Sequence, residues 1–318
     1  QWKHRLTQNW TVNAGLHVTH FALSGDNAIE PRLATSVKLN NRQTLSAAIG
    51  LHSRPEPIAF YFLESSAPDG TRTSPNMDLG MSKSMHTVLG YDHQLSDNLR
   101  LKAEVYYQHL YNVPVTNEPN VYGSIINASD IWDIVGANES INEGTGRNYG
   151  VDLTLEKFFA RQYYFLFTGS LYQSKFTPLN GVEYSTRFNS NYQMNLLAGK
   201  EWKVGKKKNN IFAVNGKFIY AGGNRYTPID VEASRERQRT VRDVDLLFAE
   251  RLSDYLRFDV GLSYKMIRKR MTHSIMLDVQ NVTNNQNPGG FYYDTRQEKI
   301  QEYYLTGFFP VFNYRIEF

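Results

Sequence analysis

The amino-acid sequence predicts an all-β fold, a transmembrane antiparallel β-barrel of about twelve strands. Three observations support this prediction. Apolar and polar residues alternate along many short segments, as they do in strands with one apolar and one polar face. Short and long connections between these segments alternate along the chain. Aromatic residues recur at the segment ends, as they do in outer-membrane barrels.

Composition limits the alternatives to a barrel. The 318-residue chain has 14% aromatic residues, no cysteine and a formal net charge of +4. Its mean hydropathy is −0.50, and no apolar run approaches the roughly 20 residues that a transmembrane helix requires. Disulfides and thiol chemistry are excluded because cysteine is absent. Charges of both signs are well mixed, so nothing indicates a nucleic-acid partner.

The N-terminal third contains five segments in which apolar and polar side chains alternate. The fifth is the clearest, with five apolar residues opposite polar or charged ones: Leu99, Leu101, Ala103, Val105 and Tyr107. Asn40 and Asn41 predict a tight turn between the second and third segments, since asparagine suits turns. We therefore expect strands near residues 10–19, 33–39, 44–52, 83–94 and 99–108.

The same alternation predicts seven further strands, near residues 149–156, 165–171, 192–202, 212–220, 256–265, 275–280 and 312–318. Most of the twelve approach the roughly 9–11 residues of a tilted membrane strand. Short turns separate the long loops, which we place at residues 53–82, 112–146, 177–189, 222–253 and 281–302. If the last strand runs towards the periplasm, every long loop lies on the extracellular side.

Aromatic residues mark both expected membrane interfaces, where amphipathic rings favour the headgroup level. The periplasmic strand ends carry Trp10, Trp202, Tyr264 and Phe318. The extracellular ends carry Tyr107, Tyr149, Tyr192 and Tyr220. In the last strand, one face is expected to meet lipid and presents Phe312, Tyr314, Ile316 and Phe318.

Four motifs carry a resemblance to a known family: Glu30-Pro-Arg32, Gly222-Gly-Asn-Arg-Tyr-Thr-Pro-Ile-Asp230, Leu277-Asp-Val-Gln-Asn-Val-Thr-Asn284 and Tyr314-Arg-Ile-Glu-Phe318. They resemble the C-terminal barrel of TonB-dependent outer-membrane receptors, most closely the Bacteroidetes type. The resemblance implies a 22-strand barrel around an N-terminal plug. Residues 1–318 show no plug, so we expect a single barrel domain that forms the C-terminal part of such a receptor.

The resemblance also implies a function and partners. We expect uptake of a nutrient, such as a siderophore or a glycan, without covalent chemistry and without a cofactor. TonB would be contacted only through the missing N-terminal part. Outer-membrane lipid surrounds the barrel, and a surface lipoprotein is a further partner if the ligand is a glycan. The barrel-assembly machinery would read the alternating C-terminal strand.

Candidate ligand contacts lie in the long loops. Aromatic rings could stack on an organic ligand or equally form loop cores; these are Tyr61, Phe62, Tyr122, Trp132 and Tyr226. Arg225 belongs to an arginine-rich loop that could bind an anion or could be a solvated surface. Asn281 and Asn284 are expected to form a turn at a strand end rather than to contact ligand.

Other polar groups could hold a metal or perform catalysis, but they are better explained as ordinary loop and lumen-facing residues. Four acidic residues share one loop without the spacing of a calcium site: Asp130, Asp133, Glu139 and Glu143. Four histidines on or near strands fit ordinary lumen-facing residues: His17, His52, His86 and His109. Ser84 beside His86 is the nearest approach to a hydrolase pair, so we expect no catalytic, cofactor or metal site.

Two alternatives remain open at this point. A self-contained 12-strand barrel, acting as a passive pore or a membrane-embedded enzyme, would pair the strand after Trp10 with the strand of Tyr314. A soluble β-protein that binds carbohydrate would place the apolar strand faces in a core.

Overall fold

Strands dominate the computed structural model, which describes residues 1–66, 69–118, 123–128 and 139–318. Up to residue 116 the strands are β1 (Trp2–Arg5), β2 (Trp10–Phe21), β3 (Asp26–Asn40), β4 (Gln43–Arg54), β5 (Ser65–Ser66), β6 (Arg72–Thr73), β7 (Ser82–Ser96) and β8 (Leu99–Thr116). A single turn of helix, α1 (Ile58–Tyr61), follows β4.

The middle of the chain continues with β9 (Ser140–Ala160), β10 (Tyr163–Thr177), β11 (Tyr184–Ser185), β12 (Tyr192–Val204), β13 (Asn210–Ala221) and β14 (Arg225–Tyr226). Helix α2 (Val231–Arg237) begins at Asp230, whose carboxylate caps it by accepting from the Ala233 backbone N–H. The last strands are β15 (Glu250–Arg251), β16 (Tyr255–Ile267), β17 (Thr272–Gln280), β18 (Pro288–Asp294), β19 (Lys299–Tyr304) and β20 (Phe309–Glu317). Two 3₁₀ turns cover Ile125–Asn127 and Val244–Leu246. Within the described ranges, no helix is long and apolar enough to cross a membrane.

One antiparallel sheet of fourteen strands contains the long strands. Its order is β1-β2-β3-β4-β7-β8-β9-β10-β12-β13-β16-β17-β20, with the short β11 beside β10. Apart from the four-residue β1 and the two-residue β11, these are the twelve strands that the sequence predicts, so the predicted fold is confirmed. The small pairs β5–β6, β14–β15 and β18–β19 lie in the connections.

Several strands extend beyond the predicted segments on the long-loop side. β3 begins at Asp26 rather than near residue 33, and β8 and β9 reach Thr116 and Ser140, inside the predicted loop. The alternation of apolar and polar residues fades there because a strand that has left the bilayer no longer needs an apolar face.

The sheet exposes one apolar face. Val105 pairs with Val151, and Val151 pairs with Leu171 in the next strand. All three side chains are exposed although they lie in the middle of a large sheet. Contiguous exposed aliphatic side chains on neighbouring strands indicate the surface that meets lipid.

Tight turns close one end of the sheet. Arg161 and Gln162 alone connect β9 to β10, with φ of 54° and 67°, the backbone that a two-residue hairpin requires. The opposite end carries the long connections, residues 55–81, 117–139, 178–191, 222–254 and 281–308. Fully buried apolar side chains concentrate near this end, as Phe60, Tyr61, Met81 and Phe176 show. The packed core of the described residues therefore lies near the loops rather than inside the sheet.

Candidate functional site

The long loops pack against one another. Phe60, Tyr61 and Leu79 form a buried cluster. Partly buried side chains cover it: Leu63 of the same connection, Phe21 and Leu23 near the end of β2, and Ile125 with Ala128 from the connection after β8. Connections that are distant in sequence thus share one small core. Such a layer has a defined surface on which a ligand can be recognised.

Tyr61 and Phe62 are neighbours with different environments. Tyr61 has 0% of its surface exposed, whereas Phe62 is 52% exposed. The Tyr61 phenolic oxygen accepts a hydrogen bond from the Glu56 backbone N–H at 3.0 Å, and its ring lies 5.0 Å from that of Phe21. Burial raises the pKa of Tyr61. In this structure Tyr61 is part of the loop core, and Phe62 presents a free aromatic surface.

Asparagine side chains, buried Asn76 and partly buried Asn142, connect the first long loop to β9. The Asn76 side chain donates to the Phe60 carbonyl and accepts from the Ser140 backbone N–H, at 3.2 and 3.0 Å. Asn142 bonds both backbone groups of Gly80. An irregular buried backbone needs such partners because an unpaired amide or carbonyl is costly. Sequence reasoning missed these residues, since isolated asparagines carry no periodic signal.

Arg225 and Tyr226 belong to a second group of contacts. The Arg225 guanidinium donates to the carbonyls of Asn189 and Ala249, each at 3.2 Å. The Tyr226 ring lies 5.0 Å from that of Phe291. Burial, followed by the nearby Glu250 carboxylate, raises the pKa of Tyr226. Arg225 thus braces three segments of the chain, and Tyr226 packs against the β18–β19 hairpin.

The other candidate residues of the long loops are two aromatic residues and the acidic residues of the second long loop. Tyr122, Trp132, Asp130 and Asp133 lie outside the described residues. Glu139 is described and accepts a hydrogen bond from Asn117 at 3.1 Å. Within the described part of the chain, no three acidic or histidine side chains are grouped so that they could hold a metal ion.

Three of the four histidines converge on the polar face of the sheet, beside a cavity of about 520 Å³ lined by His17, Arg32, His52 and His86 among others. The His52 and His86 rings are 4.5 Å apart. Nearly buried Glu30 accepts hydrogen bonds from His17, Arg32 and Ser53.

The Ser84 hydroxyl and His86 Nε2 are 2.9 Å apart. A catalytic Ser–His pair also needs a third group that orients the imidazole. Here the carboxylate of Glu30 serves His17 instead of His86. His109, the fourth histidine, stacks on Tyr111 with a centroid distance of 6.1 Å. The arrangement gives a polar lumen wall rather than a nucleophilic centre.

A second cavity of about 520 Å³ lies further along the same polar face, and we call it the upper-lumen pocket. It is lined by Val88, Glu104, Tyr106, Gln108, Asn148, Asp152, Tyr172, Ser174 and Phe188. Gln108, Asn148 and Ser174 stand level with the Tyr107–Tyr149 pair, and Phe188 comes from the connection after β10. The pocket therefore lies on the polar face of the barrel wall, close to the end of the strands that carries the packed long loops.

The C-terminal strand presents its predicted aromatic face. Phe312, Tyr314 and Ile316 are exposed and pair with Leu277, Ile275 and His273 of β17. Phe318, just beyond β20, is 96% exposed. Among the described residues, β20 pairs with β17 alone.

Comparisons with known proteins agree with this architecture. The family model for TonB dependent receptor-like β-barrels matches residues 1–282. No curated protein sequence matches the chain. Similar solved structures include the ferric-catecholate import receptor Fiu of E. coli (TM-score 0.60, 12% identity), covering 96% of this chain and 42% of that one.

Two further solved structures show the same relationship. The pyoverdine-bound receptor FpvA of P. aeruginosa has a TM-score of 0.64 at 12% identity, with 98% of this chain and 36% of that one covered. The siderophore receptor PiuA of Acinetobacter baumannii has a TM-score of 0.60 at 12% identity, with 98% and 41% covered. At such identity these matches show the fold alone, and the chain spans about two fifths of the length of those receptors. By the family match, this chain belongs to the TonB-dependent receptor-like β-barrel family of the bacterial outer membrane.

Proposed function

We propose that residues 1–318 form the C-terminal part of a receptor barrel that imports a nutrient across the outer membrane with energy supplied through TonB. The observation that carries this proposal is that the long loops pack against one another into a layer at one end of the sheet, next to its polar face. A pore that only sieves solutes needs an open mouth, whereas a receptor needs a defined surface. The function is binding and transport, and we assign no catalytic residue.

The sheet edges support a larger barrel. In lipid each unpaired backbone group costs several kcal/mol, so an open edge cannot face the hydrocarbon. Within the described residues, no ladder joins β20 to β1 or β2. Strands outside this chain would therefore complete the barrel. A self-contained 12-strand pore or enzyme would need the direct pairing of these edges.

The proposal assigns a place to each partner. TonB would act on a part of the receptor outside residues 1–318. Lipid covers the exposed apolar face, and the barrel-assembly machinery would pair with the exposed edge of β20. A surface lipoprotein, if the ligand is a glycan, would contact the loop layer.

Uptake assays in the source bacterium test the proposal. We expect that deleting the receptor gene abolishes uptake of one nutrient, and that deleting TonB abolishes uptake of the same nutrient. Reintroducing the receptor gene should restore it. Uptake that persists without TonB, or a permanently open channel formed by the full-length protein in a planar bilayer, would show a passive pore instead.

A further inference from the structure

Two lysines interrupt the apolar face of the sheet. Alternate residues of four neighbouring strands form this face within residues 149–157, 163–171, 192–202 and 212–220, and the register places them side by side. Among these described positions, Lys157 of β9 and Lys200 of β12 alone carry a charge, and both lie near the tight turns. A cation on the lipid-facing side of a strand is costly unless it reaches the interface.

Tyr163 lies between the two lysines. The Nζ atom of Lys157 is 3.9 Å from the centre of the Tyr163 ring, and Tyr163 is the cross-strand partner of Lys200. Lys157 Nζ also donates to the Ala160 carbonyl at 3.2 Å, which holds it at the β9–β10 turn. Lys200 Nζ lies 5.3 Å from the centre of the Trp202 ring. Within the described part of the chain Lys200 donates no hydrogen bond from Nζ, and neither lysine forms an ion pair.

Two neighbouring turns add six more cations. Residues 206–208, between β12 and β13, are all lysine, and residues 268–270, between β16 and β17, are Arg, Lys and Arg; all six are exposed. The turns lie side by side because β13 pairs with β16, and Asn209 Nδ2 donates to the Ile267 carbonyl at 3.2 Å. Neither turn contains an acidic residue. None of the six cations makes an ion pair with another described residue, so their charges remain uncompensated by the protein.

Lys157, Lys200 and these six turn residues form a surface that we call the basic rim. Tight turns of outer-membrane barrels lie on the periplasmic side. Trp202 is 38% exposed on the apolar face, between Lys200 and the turn, where a tryptophan favours the headgroup level. A soluble anion or an acidic protein can reach the turns, but lipid covers the face that carries Lys200. The molecule that can bring an anionic group to Lys200 is therefore a phospholipid, through its phosphate.

We propose that the basic rim binds anionic phospholipids of the periplasmic leaflet. Lys200 has free donors for a charge-assisted hydrogen bond to a phosphate oxygen, and Lys157 adds a fixed positive charge beside it. The turn cations attract lipids of net negative charge. A zwitterionic phospholipid has the same phosphate, but the rim repels its ammonium group. The rim therefore favours phosphatidylglycerol over phosphatidylethanolamine, and this binding is independent of TonB and of the imported nutrient.

Native mass spectrometry of the full-length receptor in detergent tests this assignment. The probes are phosphatidylglycerol, phosphatidylethanolamine with the same acyl chains, and glycerophosphoglycerol, which is the first lipid's headgroup without its chains. We expect phosphatidylglycerol to bind about tenfold tighter than phosphatidylethanolamine, and glycerophosphoglycerol not to bind. Equal affinities of the two lipids overturn the assignment. Binding of the headgroup alone as tightly as the lipid would show a site for soluble anions and would also overturn it.

Variants locate the lipid at the two lysines. Lys200→Gln should weaken phosphatidylglycerol binding by about fivefold, and Lys157→Gln/Lys200→Gln by about 25-fold. Lys200→Arg keeps the charge and should stay within about twofold. Lys102→Gln/Lys217→Gln is the matched control, because it removes two positive charges from the polar face, and it should leave the affinity unchanged.

Two outcomes of the variant series overturn the assignment. The first is unchanged affinity for phosphatidylglycerol in Lys200→Gln, which carries the test alone if the double variant does not fold, since Lys157 also braces a turn. The second is a larger loss in Lys206→Gln/Lys207→Gln/Lys208→Gln than in the double variant. That result would place the anion on the turns, the surface that an acidic protein could reach.

Discussion

Tyr106 reaches across Gly150, its partner on the neighbouring strand, so closely that a β-carbon on Gly150 would lie 2.8 Å from the phenolic oxygen. The same β-carbon would lie 2.6 Å from the Leu171 carbonyl oxygen, on the strand at the other side. The side chain can move, but the backbone carbonyl belongs to the sheet and cannot. Glycine at position 150 therefore permits both the Tyr106 position and the local strand spacing.

Gly150→Ala is expected to destabilise the barrel by about 1–3 kcal/mol, the usual cost of overpacking. Gly216→Ala is the matched control in a nearby strand, because its β-carbon would meet only the Phe258 ring at an ordinary 3.6 Å. Urea titration of the receptor refolded in lipid vesicles measures both. Equal stability of the two variants would contradict the close packing at Gly150.

Leu153→Arg tests which face meets lipid. Leu153 is 40% exposed on the apolar face and pairs with Ala103 and Gly169, in the middle of the sheet. An arginine near the bilayer midplane costs about 2–4 kcal/mol. Lys102→Leu, on the opposite face, loses only a part-exposed ion pair with Glu104 and should cost about 1 kcal/mol or less. The same urea titration measures the stability of both variants. Equal losses of stability would contradict the face assignment.

The strands and their faces could be predicted from the sequence because, in every strand that crosses the bilayer, apolar residues that face lipid alternate with residues that face the lumen. Asn281 and Asn284 were also predictable as turn residues, and their φ values of 48° and 51° lie in the left-handed region that asparagine tolerates. Loop packing could not be predicted. Asn76 bonds Ser140, 64 residues away, and Asn142 bonds Gly80, 62 residues away, and no local pattern encodes such contacts.

The candidate site was also only partly predictable from the sequence. Its loop aromatics could be found by residue type, but type does not distinguish buried Tyr61 from exposed Phe62. The upper-lumen pocket was missed because Tyr106 and Tyr172 are distant in sequence. Only the strand register brings them to either side of Gly150.

Tyr61→Ala is expected to open the first long loop. Truncating a fully buried aromatic ring costs about 3–5 kcal/mol, and here it also removes the hydrogen bond to the Glu56 N–H. Phe62→Ala, next to it, removes a side chain that is already half exposed and should cost much less. Limited proteolysis of residues 55–81 compares the two variants. Equal cleavage rates would show that Tyr61 does not anchor the loop.

The buried carboxyl of Glu56 is expected to make the stability of the same loop depend on pH. Burial raises the pKa of its carboxyl, against the opposing effects of the Ser82 hydroxyl and Arg54. The folded loop therefore holds the proton more tightly than the unfolded loop. Its stability should be greatest below the ordinary pKa of 4.5 and should fall as pH rises through the raised pKa.

Hydrogen exchange of the α1 amides measures this dependence after correction for intrinsic exchange rates. Glu56→Gln should flatten the decline in protection as pH rises above the ordinary pKa of 4.5, because the variant has no proton to lose. Glu64→Gln, an exposed change in the same loop, should keep the decline. An unchanged slope in Glu56→Gln would assign the effect to another group.

Deleting Phe318 should impair outer-membrane assembly more than it destabilises the assembled barrel. Phe318 is 96% exposed, so its removal should cost about 1–2 kcal/mol or less. Assembly differs because an exposed edge strand can pair with another sheet, with alternate side chains giving specificity. Phe312, Tyr314, Ile316 and Phe318 form that alternate set. Phe308→Ser removes an exposed ring outside the set and serves as the control.

Two measurements separate assembly from stability in the Phe318 deletion. Surface abundance in cells should fall strongly for the deletion and little for Phe308→Ser. Refolding yield and urea stability in lipid vesicles, where no assembly machinery is present, should be similar for both. Normal surface abundance of the deletion variant would mean that Phe318 acts only as an interface aromatic. The recognition of β20 would then depend on the strand's backbone edge alone.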